Sequence, residues 1–539
     1  MRRKRVKNRT PTRNDVAPKI SNSGYSEGGA SQTNKALKTW RPKKLSAKSD
    51  IGANLALLRN RSNDQAINTP LGSAAIHTSA IHAIGSGLRV FPRPNGKILG
   101  LSPAETRQWS KQVAQEFELW ASSTECDILH RNTFYDMQWI AYLGYLIDGD
   151  IFAAMRRKPT TNNMPYTLRI QLIEGNRVGN PSMLGVGDAY VESINPTNNN
   201  RVVNGVEIDD DGAVVAYWVS NIVQGDATEI HRRQEWQRIE AYGKRSGFAN
   251  IIQVCHDVRP EQYRGVPYLA PVLESLKQVS RYTSAELTSA IVKSFFSLFF
   301  TAEQGSNVAD VLNAEQDTDE PVVDVGEYNL GPGTLNALPK GVDVKSVDAS
   351  NAQSTFEAFT NQLIKQIAAA INQPYEVLMK SFTSSYSASR AAMLQAWEEY
   401  KLRRVWFARD FCQPIYEMWL VEAIATGRIN APGFFDDPVI RNAWCQTNWF
   451  GPTMSILDPQ RDVQGSMLRT QAGLSTRERE AAEMTGTDFE ENMEQLAYEA
   501  SIIEELGLTG LLSTTLSQQV TPVATTKDGQ KGDEDNHEK

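Results

Sequence analysis

The chain has 539 residues, 40% of them apolar and 22% charged, enough for two or more compact units with the composition of an ordinary soluble globular protein. Its four cysteines, Cys126, Cys255, Cys412 and Cys445, show no paired spacing, which argues against a disulfide framework and a zinc site and suits a reducing cytoplasm. The net charge of −7 is unevenly placed: residues 1–48 hold 14 Lys or Arg against Asp15 and Glu27, so an arm at +12 precedes a body at −19. Such an arm suits a polyanion partner or is simply a solvated leader, and the acidic body should not grip nucleic acid.

In chain order, residues 1–48 are too polar to pack and are expected to stay disordered. No apolar stretch follows the basic N-terminus, so no secretory signal is read there. Ala53–Ala83 reads as helix, interrupted near Thr69-Pro70 and ended by the Gly85-Ser86-Gly87 turn. Ser102-Pro103-Ala104-Glu105 starts a helix, with Ser at the cap, Pro at the first position and Glu three residues on. That helix carries Trp109, Val113, Phe117 and Trp120 at helical spacing, and Phe134–Leu146 forms another. From Ile151 to Val258 the pattern is strand-like. Thr167–Ile173 alternates polar and apolar, and Val206–Ile208 with Ala213–Val219 forms a hairpin around Asp209-Asp210-Asp211-Gly212.

Leu269–Phe300 reads as one helix of about 48 Å, with the run Phe295–Ala302 as its buried end and too short to cross a membrane. Its apolar stripe fits an ordinary helical core as well as a helix lining an assembly. Glu303–Asp348 is an acidic insertion with ten acids against Lys340 and Lys345. Phe356–Ile371 is a second helix, ended by Asn372-Gln373-Pro374. The loop Ser381–Ser389 leads into a third helix from Arg390 toward Gly427, kinked at Pro414. Arg477–Leu506 reads as a charged helical pair, and the last 27 or so residues should fray.

Catalytic patterns are sparse. Asp148-Gly149-Asp150 places two carboxylates close enough for a metal or acid/base work, but a helix-to-strand turn explains them better. The Asp209–Gly212 run lacks the ligand spacing of a calcium loop. His77 and His82 do not share a helical face, and neither a P-loop nor a G-x-S-x-G elbow is present. Weight therefore moves from enzyme toward structural assembly.

Specific words along the chain carry a resemblance. Arg259-Pro260-Glu261-Gln262-Tyr263-Arg264-Gly265-Val266-Pro267-Tyr268-Leu269-Ala270-Pro271-Val272-Leu273 resembles the R-x-x-Q-x-R-G-x-P-x-L-A-P-V-L signature of lambda-type tailed-bacteriophage portal proteins, the head–tail connector family. Tyr282 and Ala285-Glu286-Leu287 continue the match. Ile367-Ala368-Ala369-Ala370 with Pro374-Tyr375-Glu376-Val377-Leu378 resembles the family's I-A-A and PYE-x-L words, and Tyr386-Ser387-Ala388-Ser389-Arg390-Ala391-Ala392 its Y-S-S-x-R-A-A, with Trp397 at an aromatic position. Asp148-Gly149-Asp150 stands where the family shows D-G-E or D-G-D, and Gln171-Leu172-Ile173-Glu174 is similar to its L-Q-L-I-E strand. The words are colinear from about Leu55 to Leu506.

The resemblance implies an α+β portal fold assembled as a ring, usually of twelve subunits. Residues 1–48 would be a basic arm and 49–265 the wing, helical and then β-rich. Residues 266–302 and 351–372 would be stem helices flanking a clip at 303–350. The tunnel-loop region would be 373–389, the long wing helix and the rest of the wing 390–455, the crown 456–512 and a flexible tail 513–539. It implies a non-enzymatic channel for double-stranded DNA packaging and ejection at the portal vertex of the virion, assembled in the host cytoplasm. Partners would be the terminase large subunit, head-completion or adaptor proteins, and the major capsid and scaffold proteins, with no cofactor, metal or membrane. The candidate DNA-channel residues are Lys380, Ser381, Thr383, Ser384, Ser385, Ser387 and Ser389; the candidate terminase-docking residues are Asp317, Asp319, Glu320, Asp324 and Glu327. Two alternatives stand beside it: a metal-dependent phage nuclease or packaging enzyme using Asp148 and Asp150, and a basic-armed scaffold binding host nucleic acid.

Overall fold

The computed structural model describes residues 29–506, apart from 33, 182–191, 224–230, 295–297, 303–341, 347–352, 383–384 and 455–458. Helices α1 (Leu55–Asn68) and α2 (Pro70–Ala83) are separated where expected. Thr69 precedes a proline and is extended, and its side chain accepts a hydrogen bond from Gly72 N to cap α2. After β1 (Arg89–Pro92) and the short α3 (Gly96–Leu99) comes α4 (Pro103–Ala121). Ser102 and Glu105 close the capping box that their spacing predicts. Helix α5 (Phe134–Asp148) starts on a second box, Thr133 with Asp136, and stops at Gly149, whose φ of 88° is a left-handed cap. The inward face of α4 meets an aromatic cluster, with Phe117 5.7 Å from Phe134 and 5.0 Å from Trp419 between ring centroids.

The strand-rich part contains β2 (Asp150–Arg157), β3 (Leu168–Glu174), β4 (Glu192–Ile194), β5 (Arg201–Val203), β6 (Val206–Ile208), β7 (Val214–Ser220), β8 (Trp236–Glu240) and β9 (Ile251–Cys255). They form two antiparallel sheets, β3-β2-β9 and β4-β5-β6-β7-β8. Alternation along β2 sends Ile151 and Ala153 into the main helical core, and Phe152 and Ala154 into a second core with Val206, Ile208 and Tyr217. The β6–β7 hairpin turns on the triple aspartate as expected. The Asp209 carboxylate accepts from Asp211 N and Ala213 N, and Gly212 has a φ of 87°.

Helix α6 (Leu273–Ser294) is shorter than the sequence suggests, about 33 Å rather than 48. The apolar run beyond it is not a helix end: β10 (Leu298–Ala302) pairs antiparallel with β11 (Val342–Ser346). Short apolar runs do not declare helix or strand by periodicity, and Leu-Phe-Phe-Thr is rich in strand formers. Helix α7 (Gln353–Ala370) returns alongside α6. Tyr282 lies 5.2 and 5.3 Å from Phe356 and Phe359, while Leu276, Val279, Ile364 and Ile367 share the core at the other end.

The chain reverses at Asn372, whose φ is 55°, into α8 (Tyr375–Met379). Helix α9 (Tyr386–Phe407) then runs through a π-helical turn at Ala408–Cys412 into α10 (Gln413–Ala425). The widened turn sits just before Pro414, where a proline lacks the donor that regular helix requires. Next come α11 (Pro438–Cys445), β12 (Thr447–Phe450), which pairs with β1, and then α12 (Pro459–Gln471), α13 (Arg477–Met484) and α14 (Phe489–Glu505). The last two are the charged helical pair. No helix among the described residues is long and apolar enough to cross a membrane.

Candidate functional site

Helix α5 must pass directly into β2, and Gly149 provides the reversal that places Asp150 at the start of the strand, fully buried. The Asp150 carboxylate accepts five hydrogen bonds. Arg264 donates from Nε at 2.7 Å and Nη2 at 3.1 Å, Arg59 from Nη2 at 2.6 Å, Gln253 from Nε2 at 3.2 Å and the Gly265 backbone N at 3.0 Å. The other guanidinium donors are also engaged: Arg59 reaches the carbonyls of Asp148 and Gly175, and Arg264 those of Val178, Asn204 and Gly175. One buried carboxylate thus joins α1, the α5–β2 turn, the β5–β6 turn and the approach to α6. Gly265 admits no side chain, because a Cβ there would run into the Gly149 carbonyl oxygen. The separate words D-G-D and R-G of the sequence are one three-dimensional contact.

This arrangement answers the metal reading of Asp148 and Asp150. Both Asp150 oxygens are saturated by cationic and amide donors, so a metal ion would have to displace two buried arginines. Burial pushes the Asp150 pKa up, but Arg264 and then Arg59 outweigh it and hold the carboxyl below its ordinary value. For Asp148 burial dominates over Arg59, and its pKa rises to about 6. A carboxyl with a raised folded value keeps a proton that the unfolded chain releases, so its ionisation lowers stability as pH rises toward and through 6. Asp148→Asn should therefore melt at the wild-type temperature near pH 4 and above it at pH 7 to 8. Parallel calorimetric melts that keep the same gap at both pH values would refute this.

The second element is the loop before α9. Lys380 adopts a left-handed conformation (φ 53°) that ends α8, with its N–H donated to Glu376 O. Ser385 accepts from Ala388 N and caps α9. The loop therefore closes sooner than expected. Ser387 and Ser389 lie in the first turn of α9 rather than in the loop, because Ser385 is the hydroxyl in capping position. Lys380, Ser381 and Ser385 belong to the loop, while Thr383 and Ser384 lie outside the described residues. So do the docking candidates Asp317, Asp319, Glu320, Asp324 and Glu327. Phe382, 53% exposed, is the apolar loop residue that a reading centred on hydroxyls missed.

A brace also missed in the sequence holds this region. The His82 ring, from the last turn of α2, stacks on Tyr400 at 5.0 Å and meets Trp397 edge-on at 6.1 Å. Arg404 lies over Trp397 and donates to the carbonyls of His82, Ala83 and Pro452 at 3.0, 3.0 and 2.7 Å. Burial pulls its pKa down to about 10. Burial, and then nearby Lys380, lower that of His82. Trp397, Tyr400 and Arg404 recur at helical spacing, which was the available signal; their partners on α2 were not.

The family described as phage portal protein, lambda family, matches residues 33–404, a span that contains Asp150, Arg264, the loop and the brace. Portal protein B of Escherichia phage lambda is 26% identical over 504 residues, covering 90% of this chain and 91% of the relative. The portal protein of Escherichia phage N15 is 27% identical over 507 residues, with the same two coverages of 90% and 91%. A chain from the neck of an empty GTA particle is 14% identical at a TM-score of 0.41, covering 81% of this chain and 92% of its own. With two of its signature words joined at one buried carboxylate and the family match spanning most of its length, the chain belongs to the lambda family of phage portal proteins, a structural rather than an enzymatic family.

Proposed function

We propose that this chain is one subunit of a homo-oligomeric ring, of about twelve copies, at a single capsid vertex. Double-stranded DNA passes along its axis during packaging and ejection. The observation that carries the ring is the helix pair: Leu287 on α6 and Phe359 on α7 are 62% and 51% exposed in the lone chain. Large apolar side chains on two long helices want a neighbour, and a ring supplies one to every copy. In this reading α6 and α7 are the stem, residues 49–265 and 390–455 the wing, and α12 to α14 the crown. The acidic residues 303–350, with Asp317, Asp319, Glu320, Asp324 and Glu327, are the clip that receives the terminase large subunit and later the head-completion or adaptor proteins. Major capsid and scaffold proteins meet the wing. A body at −19 repeated around the axis repels phosphate and lets the duplex slide, while a ring of Lys380 side chains offers light contact.

Native mass spectrometry with negative-stain imaging tests the ring. The wild-type chain should form a closed ring of about a dozen copies. Leu287→Asp combined with Phe359→Ser should leave a folded monomer with an unchanged circular-dichroism spectrum. A wild-type chain that stays monomeric at every concentration, or a double variant that still closes rings, would overturn the reading.

A further inference from the structure

The N-terminal strap ahead of α1 leaves the body in an unusual way. Arg259 holds its end, donating to Asp50 Oδ2 at 2.7 Å and to the Leu45 carbonyl at 2.6 Å, and Lys48 pairs with Glu192. Upstream of this anchor Trp40 is 68% exposed. It is flanked by Lys35, Lys38, Arg41, Lys43 and Lys44, and no acid occurs between Glu27 and Asp50.

Arg259 also forms part of the wall of a cavity of about 1050 Å³ beside the β6–β7 turn. The cations on that wall are engaged: Arg259 with Asp50, Arg409 with Asp410 at 2.6 Å and Arg201 with Glu192 at 3.8 Å. Among the described residues, Asp210, Asp211, Asp257 and Glu261 on the same wall have no ion-pair partner, and Tyr217 and Tyr263 provide apolar surface. The hole is thus lined by carboxylates, with Tyr263 and the nearly buried Tyr217 among them. The strap is an aromatic knob within a basic collar.

Knob and hole do not meet within one chain. The strap is fixed at the wall of its own cavity, yet Trp40 stays in solvent. A closed ring is built from heterologous contacts, in which each subunit offers one surface to the copy on one side and a different surface to the copy on the other. We infer that the strap centred on Trp40 docks into the acidic cavity of an adjacent copy of this chain. The inference rests on the ring reading above and deepens it. Burying the indole removes roughly 150–250 Å² from water, and the lysine collar faces the four carboxylates.

The test uses the full chain with p-benzoylphenylalanine in place of Trp40, assembled from a mixture of light and heavy isotope-labelled subunits. Photolysis should give light–heavy crosslinks from position 40 to residues 210–217 or 257–263. Separately, Lys43→Glu with Lys44→Glu should weaken ring assembly on the order of tenfold at moderate salt, and adding Asp210→Lys with Asp211→Lys should restore it. Rings whose position-40 crosslinks stay within one chain, or a charge swap without rescue, sink the inference and leave the ring intact. Crosslinks to added duplex DNA in place of protein would assign the strap to a polyanion and overturn it. A wild-type chain that never assembles removes this inference together with the ring.

Discussion

Arg264→Ala is expected to destabilise the protein by about 3–5 kcal/mol, because it leaves Asp150 ionised and buried with one arginine where two stood. The penalty comes less from the lost attraction than from the charge left behind, together with the carbonyls of Val178, Asn204 and Gly175 that lose their donor. Because the chain is long, the check is a drop in melting temperature by calorimetry combined with hydrogen exchange, which should rise first along β2 and at the base of α6. Arg264→Lys should recover only part of the loss, since an ammonium cannot serve the same set of acceptors in one plane. The depressed pKa of Asp150 gives a second signature. Its contribution to stability is full above the ordinary carboxylate range and is lost as pH falls through the depressed folded value. In Arg264→Ala burial is less offset and the carboxyl protonates at higher pH, so the wild-type advantage should start to shrink as the variant's Asp150 takes up its proton and go on shrinking down through the wild-type value. An unchanged melting temperature and unchanged exchange at β2 would show that the node is dispensable.

Arg404→Ala should have the next largest effect, about 2–3 kcal/mol, with a local readout. The guanidinium joins the end of α2 to α9 and to the segment after β12 through three carbonyls, and packs on Trp397. Without it the aromatic stack of His82, Tyr400 and Trp397 loses its clamp, and the loop from Lys380 to Ser385 should become more readily cut by protease than the remainder of the chain. Limited proteolysis under native conditions, with mapping of the first cleavage, distinguishes this from a uniform loss of stability. A first cut elsewhere, at the wild-type rate, would show that the brace does not hold the loop.

The brace also bears on the proposed channel. If the loop faces DNA, its positioning depends on α2 and α9 as much as on its own residues. Ser385 is occupied as a helix cap, so among the described residues the loop side chains not used in capping are Lys380, Ser381 and the exposed Phe382. In a closed assembly Phe382 would add an apolar ring beside the basic one of Lys380.

Local chemistry was legible without coordinates. The capping box at Ser102 and Glu105, the break at Thr69-Pro70 and the Asp209–Gly212 turn are all decided by bonds spanning two to four residues, and all three formed as read. So was the family, because its words keep their order along the chain. One reading failed for want of non-local information: Leu298–Ala302 is a strand because Val342–Ser346 lies beside it. The start of α9 at Tyr386 failed on a local choice, because several neighbouring hydroxyls could cap and Ser385 is the one that does. The role of Asp150 lay furthest out of reach. Two carboxylates around a glycine read better as a turn than as a metal site but declare no role for either, and only the arrival of Arg59 from 91 residues away and Arg264 from 114 residues away turned one of them into a saturated structural anchor. Propensity and capping act within a turn of chain, whereas the dielectric and the partners of a buried charge are set by whatever the tertiary fold brings to it.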